Sequence, residues 1–136
     1  LGICVGMQLL FAESEEFGLH KGMDLIQGRV IRFRDDMADP RGGESRLKVP
    51  HMGWNRVRIE RPAPILAGLP DEPFFYFVHS YYVEPLDDAV TAGTTEYGIR
   101  FTAVIWRENL FATQFHPEKS QAVGLQLLKN FAALAK

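Results

Sequence analysis

Hydrophobic positions along this chain recur with a period that changes from one segment to the next. The apolar run Leu1–Val5 is followed by Met7, Leu10, Phe11 and Phe17 at roughly helical spacing, with Gly18 where a left-handed cap would sit, so a strand end running into a helix is expected. Between Lys21 and Phe33 the pattern is strand-like, with Val30, Ile31 and Phe33 interleaved by Arg29, Arg32 and Arg34, whose side chains should face water. Residues 35–46 concentrate acid, proline and glycine with almost nothing to enter a core, which predicts an exposed loop.

Val57 and Ile59 alternate with Arg56, Arg58 and Glu60 as in a half-buried strand, whereas Phe74–Val78 is continuously apolar, as in a central strand. Its end, His79-Ser80-Tyr81, should therefore emerge from the core. Val90–Tyr97, Thr102–Trp106 and Leu110–Phe115 are three further strand candidates, the last two joined as a hairpin across Arg107-Glu108-Asn109. From Ser120, a capping residue type, to Lys136, one helical face collects Val123, Leu127, Leu128, Phe131 and Leu134. Helices flanking several strands, without internal repeat or linker, place residues 1–136 in a single domain of the α/β class.

Composition narrows the picture. With 46% apolar and 12% aromatic residues the chain can fill one core. Fifteen Lys plus Arg against seventeen Asp plus Glu, without a long block of one sign, argue against a nucleic-acid partner. No apolar run approaches the ~20 residues of a membrane helix, and the single Cys4 cannot close an internal disulfide, so a reducing, cytoplasmic setting away from the membrane is expected.

Candidate chemistry sits at the two ends. Gly2-Ile3-Cys4-Val5-Gly6 matches an elbow in which a strand turns sharply into a helix with the nucleophile at its apex. The flanking glycines would let strand and helix pack closely. The helix start should favour the Cys4 thiolate, and the Val5 N–H should face a developing oxyanion, a contact worth roughly ~3 kcal/mol in other enzymes. Phe115-His116-Pro117-Glu118 ends an apolar strand with two ionisable residues two positions apart, on one face if extended. His116 could then act as base and acid while Glu118 fixes its tautomer. Each motif alone also has an ordinary structural explanation, an inert buried cysteine or a hydrogen-bonded histidine beside a solvated glutamate; together they point to thiol chemistry. His20, His51 and His79 are weaker candidates, and no metal-ligand spacing joins them, so no metal or cofactor is expected.

The combination G-I-C-V-G-M-Q and F-H-P-E resembles class I, or triad, glutamine amidotransferases. Within them, K-V-P-H-M-G-W-N from Lys48, Y-F-V-H-S-Y-Y from Tyr76 and F-H-P-E-K-S-Q look like the glutaminase subunits of imidazole glycerol phosphate synthases, over the whole chain. The resemblance implies a flavodoxin-like three-layer α/β fold with a mixed, largely parallel sheet. It implies hydrolysis of L-glutamine at Cys4, His116 and Glu118, with ammonia passed to a β/α-barrel cyclase partner in a heterodimer serving histidine biosynthesis. Gln8, and Ser80 and Tyr81 through their backbones, would hold the glutamine, and Trp54, Tyr76 and Lys119 would face the cyclase. The family carries strands and an oxyanion loop upstream of the elbow that this sequence lacks, so the 136-residue chain is expected to be incomplete at its N-terminus, unstable and inactive by itself. Another triad amidotransferase pathway, or a non-catalytic binding subunit, are the alternatives.

Overall fold

The computed structural model describes residues 1–16, 18–43 and 45–134; Phe17, part of the helical pattern above, and Ala135 and Lys136, the end of the helix predicted from the sequence, lie outside them. In chain order the elements are β1 (Gly2–Ile3), α1 (Val5–Gln8), β2 (Phe11–Ser14), β3 (His20–Lys21), β4 (Ile26–Arg32), β5 (His51–Arg56), β6 (Arg58–Ile59), β7 (Phe74–His79), β8 (Tyr81–Pro85), β9 (Thr91–Tyr97), β10 (Ile99–Arg107), β11 (Leu110–Thr113) and α2 (Gln121–Leu134). One sheet runs β1-β11-β10-β8-β4-β2-β3, with β9 also paired to β10 and β6 to β9; β5 and β7 form a separate two-stranded sheet. The α/β class and mixed sheet are as expected. Parallel pairing is confined to β1 with β11 and β2 with β4, the other pairs among the described residues being antiparallel.

The first predicted helix is cut short. Met7, Leu10 and Phe11 are all buried, as their spacing required, but only Met7 is helical. The Leu10 carbonyl accepts from Leu25 N (2.9 Å) and Ile26 N (3.0 Å), which draws the chain into the sheet, and Phe11 pairs with Ile26. Apolar spacing thus identified what is buried rather than the backbone period.

Phe74–Val78 forms a strand but not a central one. It alternates, with Phe75 and Phe77 inside and Phe74 exposed, and pairs on one edge with β5, a strand that its Pro-Gly-rich surroundings concealed. On the other edge, Tyr76 O accepts from His116 N (2.9 Å) and Tyr76 N donates to Ser120 Oγ (2.9 Å). A loop, not a strand, closes that side. Ser120 Oγ also donates to His116 O (2.6 Å), so this residue ties the loop to β7 ahead of α2.

The hairpin of β10 and β11 turns through Glu108-Asn109 with Arg107 opposite Leu110. Neighbouring Phe111 and Ala112 belong to different core clusters, as side chains on opposite faces should. The larger cluster gathers Phe33, Phe75, Phe77, Phe101 and Phe115, with the Phe75 and Phe115 rings stacked at 3.8 Å. Burying each such ring stabilises the fold by roughly 1.5–3 kcal/mol. Leu127 closes this cluster from α2, flanked by Val123 and Phe131, while Leu134 is exposed. The described residues of the segment 35–46 are mostly exposed as predicted, except that Met37 is buried in the same cluster. Arg29, Arg32 and Arg34 face solvent.

Candidate active site

Cys4 stands between β1 and α1 with φ 54° and ψ −107°, a left-handed conformation that L-residues avoid. Such strain costs on the order of 1–3 kcal/mol and persists only where neighbours enforce it. Here Cys4 N donates to Thr113 O (2.8 Å), and Cys4 O accepts from Met7 N (3.0 Å) and Gln8 N (3.2 Å). A β-carbon on Gly2 would lie 2.9 Å from the Gly6 carbonyl carbon and oxygen, so this glycine is needed for close approach. A β-carbon on Gly6 would meet nothing within 4 Å, so the expected steric role belongs to Gly2 alone.

The thiol is buried and faces Val78 O at 3.8 Å, while the Gln114 side-chain N–H donates to Sγ at 3.6 Å. Burial pushes the Cys4 thiol above its ordinary range; the Val5 N–H and Gln114 pull it down, and Glu118 and Glu16 push it up. The helix start does act toward thiolate through the Val5 N–H, as expected, but it does not prevail. α1 has one turn, and desolvation of the sulfur outweighs its donors, which shifts the site toward the thiol.

His116 lies beyond the end of β11. Its Nδ1 is 2.5 Å from Glu118 Oε1, the pairing that the sequence spacing suggested. The backbone does not stay extended, contrary to that reading. Pro117–Lys119 form a 3-10 turn, with Lys119 N donating to His116 O (3.1 Å), and the turn brings Glu118 back onto the imidazole. Because β1 and β11 are parallel, with Ile3 opposite Thr113, their carboxyl ends lie side by side. Cys4 and His116 both follow those ends and both contact the same edge of β7, at Val78 and Tyr76. The two motifs therefore meet at one edge.

Gln8 is buried, and its amide donates to Tyr81 O (3.3 Å) and Gln114 Oε1 (3.4 Å). Ser80 O accepts from Phe33 N (3.0 Å) and Tyr81 O from His79 Nδ1 (2.7 Å), so both carbonyls are held inside the fold. Val5 is exposed beside Gln8 on a cavity of about 320 Å³ next to the elbow. Trp54 sits opposite Tyr76 in the β5–β7 pair, ring centroids 6.1 Å apart, and exposed Lys119 extends from the turn docked on Tyr76.

Two features escaped the sequence. Gln114 is fully buried between Gln8 and Cys4, and nothing in its local pattern announces that contact. His51 and His79 form a buried pair (Nδ1 to Nε2, 3.0 Å), with Asn55 Nδ2 at 3.2 Å from His51 Nε2. Burial lowers His51 to about 3 and His79 to about 4, keeping both neutral. Recognising β5 as a strand would have placed His51 inward, and the alternation of Phe75, Phe77 and His79 in β7 places His79 inward. Among the described residues no helix is long and apolar enough to cross a membrane.

Against known proteins, the family model for class-I glutamine amidotransferases matches residues 1–134. The protein from Syntrophotalea carbinolica named imidazole glycerol phosphate synthase subunit HisH is 62% identical over 131 residues, 96% of this chain and 62% of its own length. Its namesake in Geobacter sulfurreducens is 57% identical over 134 residues, 98% of this chain and 63% of its own. The chain thus spans a little under two thirds of these curated relatives. Among solved structures, a Thermoplasma acidophilum protein described as part of a GMP synthase aligns with a TM-score of 0.64 at 25% identity, over 98% of this chain and 55% of that one. The glutaminase domain of Trypanosoma brucei CTPS aligns at 0.57 and 20% identity, over 97% of this chain and 59% of that one, and shares the fold.

Proposed function

The chain belongs to the class-I glutamine amidotransferase family, and from that premise we propose that it carries the thiol chemistry of the glutaminase subunit of a cytoplasmic imidazole glycerol phosphate synthase. The observation that carries this reading is the convergence of Cys4, at its strained elbow, with the His116–Glu118 pair on one edge of β7. The two relatives above, both named as this subunit, support the pathway.

The buried thiol reacts only after losing its proton, and His116 is the base that takes it. Glu118 occupies Nδ1 and so leaves Nε2 as the proton-accepting nitrogen. The sulfur adds to the carboxamide carbon of L-glutamine, and the Val5 N–H stabilises the resulting oxyanion. Collapse of this adduct breaks the C–N bond as His116 returns the proton to the departing nitrogen, giving ammonia and a glutamyl thioester. Water, deprotonated by His116, then cleaves the thioester to glutamate and restores the thiol. Gln8, Ser80 and Tyr81 hold the substrate. Trp54, Tyr76 and Lys119 form the side that meets a β/α-barrel cyclase, to which the ammonia passes.

Ammonia release from glutamine by the protein expressed from its complete gene, with and without purified cyclase, tests this proposal. Release that the cyclase stimulates and that Cys4→Ala abolishes is expected. Turnover surviving Cys4→Ala, or no turnover with the cyclase present, would refute it.

A further inference from the structure

Between the elbow and the β8 strand lies a buried chain of amides with a defined direction. The Tyr81 carbonyl can only accept hydrogen bonds, so the Gln8 group facing it at 3.3 Å is the NH2. The same NH2 reaches Gln114 at 3.4 Å, so the Gln114 atom presented there is its oxygen. The opposite end of the Gln114 carboxamide, its NH2, consequently faces Cys4 Sγ at 3.6 Å. A second chain ends on the same carbonyl: His79 Nδ1 donates to Tyr81 O, which leaves His79 Nε2 to accept from His51 Nδ1–H and His51 Nε2 to accept from Asn55. Every donor in the network is thereby committed in one sense. Gln114 cannot turn its oxygen toward the sulfur without setting two NH2 groups against each other, and it has no water to turn to because it is fully buried.

We propose that Gln114 is a positioning residue for the nucleophile: its carboxamide donates an N–H to Cys4 Sγ, fixing the sulfur at the head of α1 and favouring its thiolate. This rests on the role proposed for Cys4. The hydrogen bond strengthens when the sulfur becomes charged, because donors bind anions more tightly than neutral acceptors. It opposes the burial of the sulfur and the carboxylates of Glu118 and Glu16, which favour the thiol; the Val5 N–H acts in the same sense as Gln114. The donor comes from the strand end that leads to His116, and its backbone N is itself held by Ala103 O (2.8 Å).

The test is the pH dependence of iodoacetamide alkylation at Cys4 in the unmodified protein, Gln114→Met and Gln114→Glu. Met keeps the volume and removes the donor; Glu keeps the shape and, when ionised, presents only acceptors. Both should alkylate about tenfold more slowly at a fixed pH below the midpoint, corresponding to a midpoint raised by about one pH unit, with the limiting rate at high pH unchanged. A merely structural role would alter the limiting rate and leave the midpoint in place, and that result would overturn the proposal. In the unmodified protein, one of the two Gln114 side-chain NH2 protons should shift downfield as Cys4 titrates; equal or absent shifts count against the proposal even if neither variant folds. Since thiol titration needs no glutamine, a moved midpoint in a protein that does not hydrolyse glutamine would sink the functional reading and leave Gln114 its role.

Discussion

At the scale of single residues, the sulfur and two histidines set how the protein responds to pH. Burial holds the Cys4 thiol above its ordinary range, so alkylation of the resting protein should still be accelerating at a pH where a free cysteine has reached its plateau. An early plateau would mean the thiolate already exists at rest. His51 and His79, lowered to about 3 and about 4, stay neutral in the fold while their unfolded counterparts titrate near ~6.5. Between about pH 6 and pH 4 the unfolded chain therefore binds protons that the folded one refuses, and stability must fall as pH falls. The slope is roughly 1.4 kcal/mol per pH unit for each histidine. Denaturation at pH 7, 5.5 and 4.5 checks the sign, and His79→Gln should flatten the curve. The elbow at Cys4 and the contact of His116 with Glu118 were legible in the sequence because each motif places its groups by local spacing. Gln114 was not, since its partners Gln8 and Cys4 lie at the other end of the chain and only the parallel pairing of β1 with β11 brings them near.

The elements differ in how much of their geometry is local. The β10–β11 hairpin was read correctly, though with Arg107 placed in the turn rather than paired with Leu110, because alternation and turn chemistry are properties of neighbouring positions. Its Glu108 nonetheless has φ 55°, which suits glycine better. Glu108→Gly should raise stability by about 0.5–1 kcal/mol, measured as a higher Tm, the relief of steric strain exceeding the added chain entropy. Gly124 makes the opposite case: a β-carbon there would lie 1.8 Å from Pro117 O, so α2 rests directly on the turn that carries Glu118. Gly124→Ala should destabilise the protein by about 3 kcal/mol and loosen the His116–Glu118 pair, visible in thermal melts and in lowered ammonia release. The misread elements, the long first helix and the missing β5, are those whose state is decided by distant pairing, with Ile26 for Phe11 and with β7 for His51–Arg56.

In the whole molecule, the α/β class followed from the order of elements and the mixed sheet from the family resemblance, while the separation of β5 and β7 from the main sheet did not, because Phe74–Val78 reads the same whether a strand or a loop covers its edge. That separation leaves the outer side of β5 and β7 in solvent, with Met52, Trp54 and Phe74 exposed beside Tyr76. Under the proposed function this is the face offered to the cyclase, and Trp54→Ala should weaken cyclase binding at least about tenfold, as loss of a buried aromatic anchor does, without moving the Cys4 titration. The proposed function depends on Cys4 reacting with a glutamine carbonyl under the control of His116. The direct measurement is intact-mass spectrometry with peptide mapping after exposure of the full-gene protein to a glutamine-derived chloroketone. A single adduct on Cys4, blocked by glutamine and strongly slowed in His116→Asn, is predicted. Labelling elsewhere, or labelling of Cys4 indifferent to both glutamine and His116, would contradict the account.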